Sequence, residues 1–180
     1  MSTVSAKAHS KPGKATPGPA THIDKPMSRM WNAIAQGGPG NYHAFYDMRP
    51  VERVELIKIR APSSMLTFIS KDMGLARDRF VRLIGMPPAT VNRKLAMKAD
   101  LSVDESERLV GLAKLIGQVE TIVRESGNPV QFKPAKWFSQ WIEQPVAALG
   151  GRKPEEFLDT SDGREAVSTL LAQMQSGAYA

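Results

Sequence analysis

Large apolar side chains recur at helical spacing along most of the chain after residue 60. Between residues 65 and 96 they form three short runs, and glycine or proline separates each run from the next. Glycine just past a helix end and proline in a first turn are typical of helix boundaries. The predicted helices are 65–73 before Gly74, 77–84 before Gly85, and a third that begins at Pro87-Pro88. Three short helices joined by tight turns are typical of a helix-turn-helix.

A longer amphipathic helix is predicted to begin after Ser102. Ser102 and Glu105 have the spacing of a capping box, in which each side chain bonds the backbone amide of the other residue. Apolar residues then recur at helical spacing up to Val123, and the segment 126–129, Ser-Gly-Asn-Pro, ends the helix. We expect this helix to connect the helix-turn-helix bundle to the rest of the chain.

Residues 130–180 are predicted to form a separate compact helical unit. A helix over 135–144 is closed by Pro145, a short helix begins at Pro154, and a final helix follows the cap-forming segment 159–163. No segment of the chain alternates apolar and polar residues as a half-buried strand does. The predicted fold class is therefore all-α.

The N-terminal part of the chain is predicted to lack a core. Residues 1–28 are rich in Ser, Ala, Pro, Lys and Thr, so burial cannot offset their conformational entropy. Residues 36–41 have the composition of a loop, and residues 51–59 fit either a short helix or an extended segment. The predicted division is a disordered basic tail and loop over 1–45, a helix-turn-helix domain over 46–125 and a C-terminal domain over 126–180.

Charge divides the chain into a basic middle and an acidic C-terminal half. Residues 60–99 hold 8 Lys/Arg against 2 Asp/Glu, whereas residues 100–180 hold 8 against 12. A basic segment fits contact with nucleic acid, and it also fits ordinary solvated helix faces. The asymmetry indicates two surfaces with different kinds of partner.

Composition argues against several classes of protein. Cysteine is absent, which excludes disulfides and thiolate metal sites. No apolar run approaches the ~20 residues of a membrane span, and the N-terminus lacks the apolar core of a secretory signal, so we expect a cytoplasmic protein with no membrane partner. The 3 histidines lie in or beside the irregular N-terminal region, and the acidic pairs at 104–105 and 155–156 diverge around their helices. We therefore predict no catalytic residue, no metal site, no cofactor and no enzyme activity.

The predicted helix-turn-helix supplies candidate DNA contacts, because its second helix would enter the major groove. The residues predicted to reach base edges are Thr90, Asn92 and Arg93. Asparagine pairs well with adenine and arginine with guanine. The residues predicted to contact phosphates are Arg77, Arg79, Lys94 and Lys98. The alternative is that all of them are solvated polar residues of a small bundle.

Three aromatic residues of the C-terminal part each have two interpretations. Trp137 and Trp141 lie one helical turn apart, and they are either core residues or an aromatic anchor for a partner protein. Tyr179 stands in a short terminal segment that Gly177 would release from the last helix. Its ring either folds back onto these tryptophans or inserts into a partner's cleft.

Two segments of the chain carry a family resemblance. The helix-turn-helix part, with ATVNRK at 89–94 and LSVDESERL at 101–109, is similar to that of the Xre/MbcA/ParS-type antitoxins. The C-terminal part, with AALGGRKPEEFLDT at 147–160 and GAYA at 177–180, resembles the toxin-binding domain of the same family. The resemblance covers roughly residues 60–180 and leaves the N-terminal extension outside the common pattern.

The resemblance implies the antitoxin of a type II toxin–antitoxin system. Such antitoxins are encoded beside a RES-domain toxin, an enzyme related in fold to ADP-ribosyltransferases that uses NAD, so NAD would bind the partner. The C-terminal domain blocks the toxin's NAD site, and the N-terminal domain typically represses the operon. The resemblance implies a toxin-binding role for Trp141, Leu149, Gly150, Arg152, Lys153, Thr160, Tyr179 and Ala180. We also expect a homodimer and a toxin–antitoxin hetero-oligomer.

One alternative function belongs to another class. Some members of the family keep the helix-turn-helix shape without DNA activity. The alternative is a stand-alone Xre-like transcriptional regulator whose C-terminal half dimerises or senses a ligand. A RES-type toxin gene beside this one would favour the antitoxin, and its absence would favour the regulator.

Overall fold

The computed structural model describes residues 31, 41–127 and 131–176 of the chain, and the regular secondary structure of this part is helical. The helices are α1 (His43–Asp47), α2 (Pro50–Lys58), α3 (Ser64–Asp72), α4 (Arg77–Leu83), α5 (Pro88–Ala96), α6 (Val103–Glu125), α7 (Pro134–Trp141) and α8 (Ser161–Ser176). Two 3-10 turns, Ala147–Leu149 and Pro154–Phe157, join α7 to α8. Extended pairing among these residues is limited to two isolated β-bridges. The predicted all-α class is confirmed.

Local signals in the sequence set most of the helix boundaries. The capping box of α6 forms as predicted: the Ser102 amide donates to the Glu105 carboxylate at 2.6 Å, and the Glu105 amide donates to Ser102 Oγ at 3.2 Å. Proline occupies the first turn of α2, α5 and α7, where its missing N–H costs nothing. The segment 51–59, which the sequence left open between helix and extended chain, lies mainly in α2.

Helix α6 is the central element, because α1, α2, α7 and α8 all pack against it. Phe80 of α4, Leu109 of α6 and Phe138 of α7 belong to one continuous buried cluster. Ser139 Oγ of α7 also donates a buried hydrogen bond of 2.7 Å to the carbonyl oxygen of Met73, just after α3. The C-terminal residues that the structure describes therefore share a buried core with the helix-turn-helix.

Residues on the N-terminal side of the predicted boundary at 45/46 belong to the helical body that the structure describes. Tyr42 and Phe45 are buried, and α1 packs closely against α6. The ring of Trp31 lies 5.9 Å from that of Phe45. Residues 43–45 lie in α1, a stretch too short to show a periodicity of its own, and α6 packs against it. The rest of the predicted tail, residues 1–40, lies outside the described residues except for Trp31.

Among the helices that the structure describes, none combines the length and the apolar character that a bilayer crossing requires. The longest of them, α6, carries charged residues along its length. The helices that the structure describes thus pack on one another around a shared core, and their polar faces form its surface.

Candidate functional site

Helices α4 and α5 form the predicted helix-turn-helix pair, with residues 84–87 as the turn. Val91 is buried and fixes the inner face of α5. Asn92 and Arg93 are exposed on its outer face, and Thr90 is half-buried near its N-terminus. The structure thus places the three predicted base-reading residues on one short helix, with two of them fully available to a partner.

Exposed basic residues surround this pair of helices. Arg77, Arg93 and Lys98 are exposed, and none of them forms an ion pair within the described part of the chain. Arg82 shares these properties, although it is not among the residues that the sequence predicted to contact DNA. The sequence did contain a signal for Arg82, namely the two apolar residues that precede it. Phe80 and Val81 are buried in α4, which leaves Arg82 on the outer side. The surface therefore presents several cations that form no ion pair among the described residues.

Lys94 does not belong to that free set. It is half-buried, and its ammonium group pairs with the carboxylate of Glu105 in the first turn of α6. Burial opposes ionisation of Glu105, but hydrogen bonds from Lys94 and from the Ser102 amide outweigh it and lower the pKa of Glu105. The predicted phosphate contact at Lys94 is at odds with this geometry, because its charge already ties the recognition helix to α6.

Arg79 is also engaged, and its partners come from the C-terminal part. Its guanidinium lies 2.7 Å from the Glu143 carboxylate and 3.2 Å from that of Glu155. A second arginine bridges the same two parts: Arg108 Nη1 donates to the carbonyl oxygens of Gly85 at 3.2 Å and Asp159 at 3.0 Å. The helix-turn-helix and the C-terminal part are thus joined by hydrogen bonds as well as by the core.

A tight loop over residues 146–151, between α7 and α8, presents Leu149 and Gly150, two of the residues implied in toxin binding. The Val146 amide donates to the Arg152 carbonyl, and the Gly151 amide donates to the Val146 carbonyl, each at 3.0 Å. Gly150 and Gly151 have φ values of +66° and +80°, a left-handed conformation that favours glycine. Leu149 is half-buried while its neighbours are exposed. The loop is therefore a closed, small-residue projection.

Three further predicted contacts flank this loop, and each has an intramolecular partner. Arg152 Nε lies 3.0 Å from the Glu156 carboxylate, and its guanidinium lies 4.5 Å above the Phe157 ring. Lys153 Nζ lies 3.7 Å from Glu155. Thr160 Oγ1 accepts a hydrogen bond of 3.1 Å from the Gly163 amide and caps the start of α8. Thr160 therefore has a structural role as well as an exposed position.

The tryptophan pair lies at the edge of the core. Trp137 and Trp141 stack with ring centroids 5.9 Å apart, and both are half-buried. Trp137 also borders an apolar groove of about 320 Å³ between the C-terminal ends of α6 and α8. Both earlier interpretations thus keep a structural basis, since the rings pack on the core and retain an exposed edge.

Two predicted contacts, Tyr179 and Ala180, lie outside the described residues. Within those residues, no three His, Cys, Asp or Glu side chains are close enough to hold a metal ion. The candidate site therefore consists of two binding surfaces: a basic face on α4 and α5, and the loop after α7.

Both the helix-turn-helix part and the C-terminal part of the chain match families of known proteins. Residues 52–114 match a family described as the antitoxin Xre-like helix-turn-helix domain, and residues 131–177 match the antitoxin Xre/MbcA/ParS C-terminal toxin-binding domain. A Prs ADP-ribosylating antitoxin from Sphingobium sp. (strain YBL2) is 42% identical over 79% of this chain and 89% of its own length. The chain belongs to the Xre/MbcA/ParS family of antitoxins. The predicted resemblance is confirmed.

More distant relatives agree with this assignment. An antitoxin Xre from Yersinia enterocolitica is 20% identical over 70% of this chain and 80% of its own length. Another antitoxin Xre, from Pseudomonas putida, is 26% identical over 51% of this chain and 52% of its own length. In the present chain, the segment that matches the helix-turn-helix family runs from α2 to the middle of α6. The segment that matches the toxin-binding family contains α7 and α8.

Proposed function

We propose that this antitoxin neutralises a RES-type toxin by covering its NAD site, and that its helix-turn-helix represses its own operon. The observation that carries the toxin part is the closed loop around Gly150 and Gly151, which projects from a domain matched as toxin-binding. A relative whose name refers to ADP-ribosylation supports a partner of that enzyme class. In this proposal NAD binds the toxin, and the antitoxin is not an enzyme.

The contact surface proposed for the toxin combines the loop with its flanking residues. Leu149 and the two glycines offer a small apolar projection, and Arg152 and Lys153 offer cations at its rim. Trp141 and the C-terminal residues Tyr179 and Ala180 complete the proposed surface. An aromatic ring in a nucleotide-sized cleft would exclude NAD by occupying its place.

The DNA part of the proposal rests on the basic face of α4 and α5. Asn92 and Arg93 are exposed at the positions where a recognition helix meets base edges, and Arg77 and Lys98 are exposed beside them. We propose that the protein acts in the cytoplasm and that a homodimer presents two such faces to a symmetric operator. Its molar mass in solution, alone and with the toxin, tests the oligomeric state.

Co-expression with the adjacent gene tests the proposed function. We expect the full-length chain to rescue growth, to co-purify with the gene product and to abolish its NAD consumption. Deletion of residues 178–180 should preserve co-purification and restore NAD turnover. Full inhibition by the shortened chain would move the block to the Leu149–Thr160 surface. Lack of any complex with the adjacent gene product would contradict the antitoxin pairing and favour the stand-alone regulator.

A further inference from the structure

Arg79 belongs to the helix-turn-helix, yet its charge is held by the toxin-binding domain. Glu143 follows α7 and Glu155 lies in the second 3-10 turn, so both carboxylates belong to the matched toxin-binding segment. They lie 2.7 Å and 3.2 Å from the Arg79 guanidinium. The Arg79 side chain is 49% exposed, so another anion can reach it from solvent.

Other contacts hold these carboxylates beside α4. The carbonyl oxygens of Gly85 and Asp159 share the Arg108 guanidinium, and the Ser139 hydroxyl binds the Met73 carbonyl. These bonds join the toxin-binding domain to the helix-turn-helix without Arg79. Removing the negative charge of Glu143 and Glu155 should therefore leave the two parts docked.

We propose that Glu143 and Glu155 compete with DNA phosphate for Arg79, so that the toxin-binding domain restrains DNA binding by the helix-turn-helix. This inference rests on the proposed function, in which α4 and α5 face DNA. The first helix of a helix-turn-helix crosses the DNA backbone. Its neighbours Arg77 and Arg82 are exposed and form no ion pair within the described residues, so Arg79 is the basic residue of α4 whose charge is already occupied.

The Glu155 carboxylate lies close to one basic residue of the helix-turn-helix and to one basic residue of the proposed toxin surface. Glu155 lies 3.2 Å from Arg79 and 3.7 Å from Lys153, and Lys153 belongs to the rim of the proposed toxin surface. Phosphate that approaches Arg79 also approaches Glu143 and Glu155, and their like charges repel it. This repulsion acts on the phosphate that would contact Arg79, so the restraint depends on Arg79 and disappears when the two glutamates are neutralised.

The test compares the wild-type antitoxin with a Glu143→Gln/Glu155→Gln double variant. The probes are the duplex DNA upstream of its own gene and an unrelated duplex of equal length. We expect the double variant to bind both duplexes about two- to tenfold more tightly, since exposed ion pairs of this kind are weak. The dependence of log affinity on log salt should become steeper by about 0.9, the effect of one added phosphate contact.

Two further variants separate competition for Arg79 from a general change of charge. Glu156→Gln removes a carboxylate that pairs with Arg152, and its DNA affinity should stay within about twofold of wild type. Adding Arg79→Gln to the double variant should abolish the gain. An unchanged affinity of the double variant, or a gain that persists without Arg79, would overturn the inference.

The same measurements distinguish this inference from the proposed function. Binding by the wild type with no gain in the double variant overturns the competition and leaves DNA binding intact. Failure of every variant to retard DNA at low salt overturns both the competition for Arg79 and the DNA part of the proposed function. Circular dichroism of each variant confirms that the helical content is unchanged.

Discussion

Two arginines of the helix-turn-helix and two arginines of the toxin-binding domain are used in different ways in this antitoxin. On α4 and α5, Arg82 and Arg93 are exposed and form no ion pair within the described part of the chain. In the toxin-binding domain, Arg152 and Arg164 have carboxylate partners, Glu156 and Glu107 respectively. The first arrangement leaves charge available to a polyanion, and the second uses charge to hold a surface in shape.

The difference shows that net charge describes a region poorly until its ion pairs are known. Arg164 is only 5% exposed, donates to the Leu158 carbonyl at 3.0 Å and reaches Glu107 at 2.5 Å, so it supports the start of α8. Arg93 carries the same formal charge but forms no ion pair with the part of the chain that the structure describes. A mutation of Arg164 should therefore affect stability, whereas a mutation of Arg93 should affect DNA binding.

The largest expected effect concerns the toxin-binding half alone. Gly163 lies in the first turn of α8, and a Cβ there would overlap the carbonyl oxygen of Phe157. Gly163→Ala therefore forces the second 3-10 turn away from α8. We expect it to lower the free energy of unfolding by about 1–3 kcal/mol, measured in urea, and to abolish co-purification with the toxin.

The matched control is Gln173→Ala, which changes an exposed residue of the same helix and should behave as wild type. DNA retardation by Gly163→Ala should persist, because Gly163 lies in α8, outside the helix-turn-helix pair α4 and α5. An equal loss of DNA binding would show that the two halves cannot be disrupted separately.

The next prediction concerns sequence reading by α5. Arg93→Ala should cost about 1–3 kcal/mol of DNA-binding free energy and relax the preference at one base pair if the side chain reads a guanine. Arg82→Ala should weaken binding to all sequences alike, as expected for a phosphate contact. Equilibrium binding to a set of single-base operator variants measures both. A uniform loss with Arg93→Ala would assign it to the phosphates.

A smaller effect separates Lys94 from Lys98. Lys98→Met should flatten the salt dependence of DNA binding by about 0.9, because it removes a phosphate contact. Lys94→Met should leave that slope unchanged and lower the stability by about 1 kcal/mol, since its partner Glu105 loses its ion pair. A flattened slope with Lys94→Met would mean that the Glu105 pair opens when DNA binds.

The smallest effect is a dependence on pH. The pKa of Glu105 is lowered in the folded protein from its ordinary value of 4.5, so the unfolded chain binds a proton more readily. The stability that Glu105 contributes is present above that ordinary value and is lost as the pH falls through the folded-state pKa. Melting temperatures between pH 6 and pH 3 should therefore fall less steeply for Glu105→Gln than for the wild type. Identical slopes would contradict this role.

The sequence by itself determined most of the helices and the family. The Ser102–Glu105 capping box, the prolines at helix starts and the glycines of the loop after α7 act over a few residues, so their geometry follows from local spacing. The two matched segments are recognisable for the same reason, since each is a contiguous string.

The tertiary structure decided which charges are available and that residues 43–47 join the helical body. Arg79 meets Glu143 and Glu155, and Lys94 meets Glu105, only because distant helices are neighbours in space. Likewise, α1 is helical and buried because α6 covers it. A long basic side chain can reach many different carboxylates. Helical periodicity predicts only the face of the helix on which that side chain lies. The partner is set by the packing of helices far apart along the chain, which local patterns do not encode.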